Sequence, residues 1–198
     1  MQKAYRQFFL KDVVTLAEDL IGCKLVRYQE GKKLSLRIVE TEAYRGPEDK
    51  ACHACGGKRT KRTEPMFWQG GTIYVYLIYG MYYCFNIVAE KADLPQAALI
   101  RAGEPLEGID LMKSNRELSS PEFHEIAGGP GRLCQAIDID DDFSGEDLLT
   151  NPELDLIIEK TDPDRVGRGT RVNIDYAEEY RGKPWRFYDK KSSCVTGL

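Results

Sequence analysis

The chain has 198 residues, 42% of them hydrophobic and 30% charged, with a formal net charge of −4 and a pI near 5.4. That length allows a sizeable core and that composition excludes a disordered chain; no apolar run approaches the ~18–20 residues that span a bilayer, and the acidic balance argues against a strongly basic nucleic-acid binder. Residues 1–7 lack the apolar region and cleavage site of a signal peptide, and six cysteines without a framework pattern suit a reducing compartment, so a cytoplasmic protein is expected.

Asp12 predicts an N-cap, and Val13, Leu16, Ala17, Leu20 and Ile21 follow at helical spacing until Gly22. Residues 24–28 read as a strand, turned by Gln29-Glu30-Gly31-Lys32 into a second strand that carries Ile38-Val39-Glu40-Thr41-Glu42-Ala43-Tyr44. Plain alternation points Leu34, Leu36, Ile38 and Glu40 one way, points Ser35, Arg37, Val39 and Thr41 the other, and sets Glu40 and Glu42 on one face. Residues 45–71 are rich in Gly, Pro, Lys and Arg and read as a long loop, the kind that is functional or disordered in a compact domain. Two β-rich runs, 72–78 and 82–88, flank Tyr79-Gly80-Met81 as a hairpin. A strand follows at 97–101, a helix over 108–118 with Ile109 and Met112 on one stripe, a short helix over 132–137 after Gly128-Gly129-Pro130-Gly131, an acidic loop at 138–142, and strands at 154–158 and 185–188. No internal repeat or linker divides the chain, which predicts one α+β domain over residues 1–198.

Several groups bear chemistry. Glu40, Glu42, Tyr44 and His53 cluster at the end of a strand, although a solvated edge strand with a chance acidic pair is the plainer reading of such a pattern taken alone. Cys52-x-x-Cys55 is half of a zinc site, and no second pair exists to complete it. Residues 1–101 hold 16 Lys and Arg against 11 Asp and Glu, and residues 102–198 hold 12 against 21. Lys58, Arg59, Lys61 and Arg62 therefore form a basic patch on an acidic body, fit either to grip a phosphate backbone or to be an ordinary solvated loop. The hairpin carries Tyr74, Tyr76, Tyr79, Tyr82 and Tyr83; Tyr79, at the tip, is placed either to wedge into a base step or to belong to a tyrosine-rich surface.

The motifs Ile38-Val39-Glu40-Thr41-Glu42-Ala43-Tyr44-x-Gly46-Pro47-x-Asp49, His53, Gly56-Gly57, Met66-Phe67, Gly71-Thr72-x-Tyr74-Val75-Tyr76-x-x-Tyr79-Gly80-Met81-Tyr82 and Asn86 follow one another in order. They continue with Arg101-Ala102-x-Glu104-Pro105, Gly129-Pro130-Gly131-Arg132-Leu133-Cys134-Gln135-Ala136, Arg165-Val166-Gly167-x-Gly169 and Lys183-Pro184-x-Arg186-Phe187-Tyr188. From about Phe8 to Tyr188 the chain resembles the alkyladenine (3-methyladenine) DNA glycosylase family. The resemblance implies a mixed, largely antiparallel curved sheet with surrounding helices and a protruding hairpin for DNA insertion.

It also implies a monofunctional base-excision repair enzyme that flips alkylated or deaminated purines (3-methyladenine, 7-methylguanine, hypoxanthine, ethenoadenine) out of double-stranded DNA and hydrolyses the N-glycosidic bond. By the same match Glu42 activates the water, Arg101 holds the water and the flipped nucleotide's phosphate, and the main-chain carbonyl of Val166 is a second water contact. Tyr44, His53 and Tyr76 wall the base pocket, with His53 also reading the purine's six-position acceptor. Asn86 crowds the two-amino group of guanine, Tyr79 fills the vacated stack, and Lys58, Arg59 and Arg132 contact the DNA backbone. No lysine stands at the nucleophile position, so hydrolysis without strand cleavage is expected. No general acid stands among the matched residues. The expectations extend to a bacterial, nucleoid-associated monomer with no metal, no cofactor and no membrane contact. Cys55 and Thr63 depart from the residues usual in the family, in a loop expected to face DNA. The resemblance stands against two other readings, a lesion-binding module without turnover and a zinc-stapled interaction domain.

Overall fold

A computed structural model of the protein describes residues 2–197. Its strands are β1 (Gln2–Lys3), β2 (Lys24–Gln29), β3 (Lys32–Arg45), β4 (Ile73–Ile78), β5 (Tyr82–Val88), β6 (Gln96–Glu107), β7 (Leu154–Ile158), β8 (Val166–Gly169) and β9 (Arg186–Asp189). Its helices are α1 (Arg6–Phe9), α2 (Val13–Asp19), α3 (Ile109–Asn115), α4 (Phe123–Ala127) and α5 (Pro130–Ala136), with short 3-10 turns in the loops. The α+β class holds, and every strand pairing among the described residues is antiparallel. β1, β7, β2, β3, β6, β5 and β4 lie side by side in that order, and β9 continues along the β3 edge that β2 leaves, with β8 outside it.

The sequence accounts for these elements locally. Asp12 caps α2 by accepting from the Val14 amide at 3.0 Å, and Val13, Leu16, Ala17 and Leu20 bury against the sheet. On the sheet side of that core stand Leu34, Leu36 and Ile38 of β3, Ile73 and Val75 of β4, and Ile100 of β6. The strands β1 (Gln2–Lys3) and β8 (Val166–Gly169) escaped the sequence reading because each is four residues or shorter and neither alternates clearly. The 45–71 loop folds around 3-10 turns at Cys55–Gly57 and Glu64–Phe67.

β3 departs from plain alternation, and this corrects the predicted facing. Ile38 opposes Gly103 and Glu40 opposes Ala102, which leaves Val39 as an extra residue on β3. Thr41 then opposes Ile100, which leaves Arg101 as an extra residue on β6. Two β-bulges thus lie back to back, and a bulge re-aims the side chains that follow it. Ile38 faces the main core; beyond the bulge Ala43 faces it too, and Thr41 donates to the Ala17 carbonyl at 2.7 Å. Glu40 and Glu42 do share a face, as predicted, but on the side opposite Ile38.

Candidate active site

On the far side of the sheet from α2 lies a cavity of about 820 Å³, open to solvent and lined from β3, the 45–71 loop, the β4–β5 hairpin, β6, the start of α5 and the segment 172–176. Glu42 lies directly beneath the lining residues Tyr44, Arg101 and Val172, with no exposed surface. Its Oε2 accepts from the Tyr44 hydroxyl at 2.7 Å and its Oε1 from the Val172 amide at 2.7 Å, while the Arg101 Nη1 stands 3.4 Å from Oε1. Burial, and next the charge of Glu42, push the Tyr44 hydroxyl well above its ordinary range, so it stays protonated and donates. Burial works against the Arg101 charge, but Glu42 and Glu40 outweigh it, and the guanidinium pKa is raised.

Behind Tyr44 the floor is fixed by a second buried pair. Arg171 grips Asp49 with Nη1 and Nη2 at 2.5 and 2.8 Å and donates to the Ala43 carbonyl at 2.9 Å. Its guanidinium lies 4.8 Å from the Tyr44 ring centre and 5.1 Å from that of Trp185. In all, Glu40, Glu42 and Asp49 face Arg101, Arg171 and Arg186, all six buried, so their formal charges cancel.

The walls are aromatic. Alternation on β4 sends Ile73 and Val75 to the core and Tyr74 and Tyr76 to the cavity. The His53 ring meets Tyr76 edge-on at 4.6 Å, and its Nδ1 lies 2.9 Å from the Tyr74 hydroxyl. Burial, reinforced by the nearby Arg62 charge, lowers the His53 pKa to about 4, so the imidazole is neutral at ordinary pH. Arg62 stacks 5.1 Å from the Tyr76 ring centre. Asn86 is buried, and its amide nitrogen donates to the Tyr74 and Cys84 carbonyls at 2.9 and 3.0 Å, so its side chain is fixed in place.

The mouth differs in charge. Arg62, Arg116 and Arg132 line it, and no aspartate or glutamate does so among the described residues. At its rim the hairpin turns through Tyr79 and Gly80 at φ +52° and +69°, closed by the Met81 amide on the Ile78 carbonyl at 3.1 Å. This is the primed turn that suits strand twist, and glycine takes its second position freely, whereas a tyrosine at positive φ is strained. Tyr79 is 79% exposed. β5 joins β6 only over Asn86–Val88, so the tip half of the hairpin leaves the sheet and rests on α5. Gly131 permits that approach, since a Cβ there would meet the Tyr82 ring at 2.9 Å.

Of the predicted residues, the structure brings Arg101, Tyr44, His53, Tyr76, Asn86, Tyr79 and Arg132 to one cavity, with Glu42 buried beneath its lining. Val166 is not among them. It pairs with Asp189 at the outer edge of the sheet, and the place beside Glu42 belongs to Val172. Lys58 is exposed and does not line the cavity, and Arg59 is held by Glu64 at 2.6 Å and Asp93 at 2.9 Å. Thr63 is buried rather than outward-facing: it accepts from the Thr60 amide at 2.8 Å and donates to the Lys58 carbonyl at 2.9 Å, stapling the basic loop. Burial raises the Cys52 thiol to about 12. Among the described residues the one group of acidic, His or Cys side chains close enough to share an ion is the exposed run Asp140, Asp141 and Asp142. No helix among them is long and apolar enough to cross a membrane. Arg116, Arg171 and Val172 are site residues that sequence reasoning missed; Arg62 stood out only as part of the basic patch and Asp49 only as a motif position, neither with a place in the cavity.

An antiparallel sheet with a buried carboxylate, an aromatic slot and a basic mouth defines a class of site suited to a flat base joined to a phosphate chain. The sequence model of the methylpurine-DNA glycosylase family matches residues 7–193. A protein of Natranaerobius thermophilus named "Putative 3-methyladenine DNA glycosylase" is 50% identical over 191 residues, 96% of each chain. Proteins of the same name in Desulfitobacterium hafniense and Methanocella arvoryzae are 46% and 47% identical, over 99% and 96% of this chain and 99% and 94% of their own. The chain belongs to the methylpurine-DNA glycosylase family.

Proposed function

We propose that the protein extrudes a damaged purine nucleotide from duplex DNA into this cavity and hydrolyses its N-glycosidic bond with a water activated by Glu42. The observation that carries this reading is the placement of Glu42: buried just beneath the lining of an aromatic slot, with Arg101 and the main chain at Val172 beside it. As the C1′–N bond breaks, its electron pair leaves with the base and the sugar gains oxocarbenium character, which the nearby carboxylate stabilises. The water oxygen bonds to C1′ and its proton passes to Glu42, leaving an abasic site with the strand intact. No lysine lies among the cavity residues, so no Schiff base to C1′ forms.

Tyr44, His53 and Tyr76 sandwich the base, and stacking of this kind tolerates many ring shapes. A cationic base such as 3-methyladenine or 7-methylguanine leaves without further protonation. A neutral one such as hypoxanthine or ethenoadenine needs a proton, which His53, neutral down to about pH 4, does not supply. Asn86, unable to swing aside, crowds the two-amino group of guanine, so 7-methylguanine fits the slot less well than 3-methyladenine. Arg62, Arg116 and Arg132 draw the phosphate backbone to the mouth, and the strained, exposed Tyr79 enters the gap the base leaves. The local charge at the mouth reconciles an acidic protein with an anionic substrate.

The test is release of base from a duplex that carries 3-methyladenine, which leaves without further protonation, beside Glu42→Gln. A general base is worth ~10²–10⁴-fold in rate, and the variant is expected to lose that much. No release by the native protein, or equal release by the variant, refutes the mechanism.

A further inference from the structure

Glu40 is a fully buried carboxylate two residues from the proposed base, and the mechanism does not use it. Its Oε1 accepts from the Arg101 Nε at 2.8 Å and the Arg186 Nε at 2.7 Å, and its Oε2 from the Thr196 amide at 2.9 Å and hydroxyl at 2.8 Å. The Thr196 hydroxyl in turn accepts from the Arg101 Nη2 at 3.2 Å, and the Arg186 Nη2 donates to the Thr196 carbonyl. The segment after β9 therefore returns across the sheet and closes on the back of the site.

The consequence lies in how Arg101 is gripped. Nε and Nη2 form the side edge of a guanidinium, and both are taken, one by Glu40 and one by Thr196. Only Nη1 then points at Glu42, 3.4 Å from Oε1. A planar guanidinium held along one edge cannot rotate its remaining nitrogen away. A second carboxylate also divides the Arg101 charge, so Glu42 is not locked in an exclusive pair with it.

We infer that Thr196, acting with Glu40, is a positioning residue that fixes the orientation of Arg101 toward Glu42. This rests on the glycosylase reading of the site. Thr196 touches neither the cavity nor Glu42; its influence runs through the guanidinium edge.

The test compares the full-length native protein with Thr196→Val, which keeps the shape and removes the hydroxyl, and Thr196→Ser, which keeps the hydroxyl. Single-turnover release of 3-methyladenine from a duplex that carries it, affinity for the same duplex and thermal unfolding are measured for each. Loss of a group that orients a functional residue typically costs ~10–100-fold, so Thr196→Val is expected to slow base release at least about tenfold while affinity stays within about twofold. Thr196→Ser is expected to restore the rate to within about twofold of native. A native rate in Thr196→Val overturns the inference; so does a loss of rate that Thr196→Ser does not restore. If Thr196→Val does not fold, Glu40→Gln carries the same test: slowed release with retained affinity supports the inference, and a native rate overturns it. Release by the native protein and its loss in Glu42→Gln check the underlying reading separately. If the native protein releases no base, that reading fails and this inference with it.

Discussion

The floor and the mouth of the cavity both use arginine, in opposite ways. On the floor Arg101, Arg171 and Arg186 are buried, and each is matched by a carboxylate within hydrogen-bond reach. At the mouth Arg62 and Arg132 are exposed and Arg116 is half-buried, with no carboxylate on the lining. Burial makes an unmatched charge cost several kcal/mol, whereas at the surface water screens it. The floor therefore has one allowed arrangement, and the mouth is free to rearrange around an incoming anion. On the proposed reading, rigid parts hold the chemistry and adaptable parts take up the polymer.

Variants can break this division. The largest effect is expected from Asp49→Ala, which strands Arg171 in the interior. Removing one partner of a buried pair costs ~3–5 kcal/mol, so thermal or denaturant unfolding should show a loss of that order, with base release falling as Tyr44 and Val172 shift. An unchanged melting temperature would deny that the floor is held by its charges. Tyr79→Ala should leave the melting temperature unchanged and weaken lesion-duplex affinity by ~1–3 kcal/mol, the range for an aromatic stacked on a base. Unchanged affinity would mean the tip does not intercalate.

Smaller still is the effect of Arg132→Gln. If it meets a phosphate, affinity falls alike for damaged and undamaged duplexes, and the slope of log K against log salt shrinks by ~1. A loss confined to damaged duplex would move Arg132 from the mouth's role to the pocket's. The finest probe is His53 itself. Its ring should titrate near pH 4 by NMR, well below its ordinary 6.5, and the midpoint should rise in Arg62→Gln. Between those two values the unfolded chain holds a proton at this ring and the native protein does not, so stability should fall as pH drops through that window. A midpoint near 6.5 in the native protein would show that the slot is wetter than its burial implies.

Much of this was legible in the chain. Asp12 announced α2, the Tyr-rich runs around Gly80 announced the hairpin, and the Glu42 strand announced the site. Alternation failed at Val39 because a bulge is a property of two strands together, and one strand's residues do not display it. Val166 follows from the Arg165-Val166-Gly167-x-Gly169 motif, and the chain holds a second Arg-Val pair, Arg171-Val172, six residues on. Only the pairing of β8 with β9, which carries Val166 out to Asp189, separates them. Thr63 looked like a surface departure because its neighbours are charged, and its burial depends on a loop whose path no periodicity reveals. Glu40 could be read as a supporting carboxylate, but its partner Thr196 lies 156 residues away.

The paired bulges have one more consequence. Residue numbers of opposed positions on β3 and β6 add to 141 at Ile38 and Gly103, to 142 at Glu40 and Ala102, and to 141 again at Thr41 and Ile100. In the language of reading frames, an insertion in one strand is cancelled by an insertion in its partner one pair later. From Leu36 onward the frame shifts only across the pair that carries Glu40, with Arg101 as the second insertion; Ser35 and Glu107, which add to 142, mark a separate shift nearer the start of β3. Deleting either Val39 or Arg101 alone would throw every later pair out of phase; deleting both would restore a plain ladder and erase the site while leaving the rest of the sheet in frame.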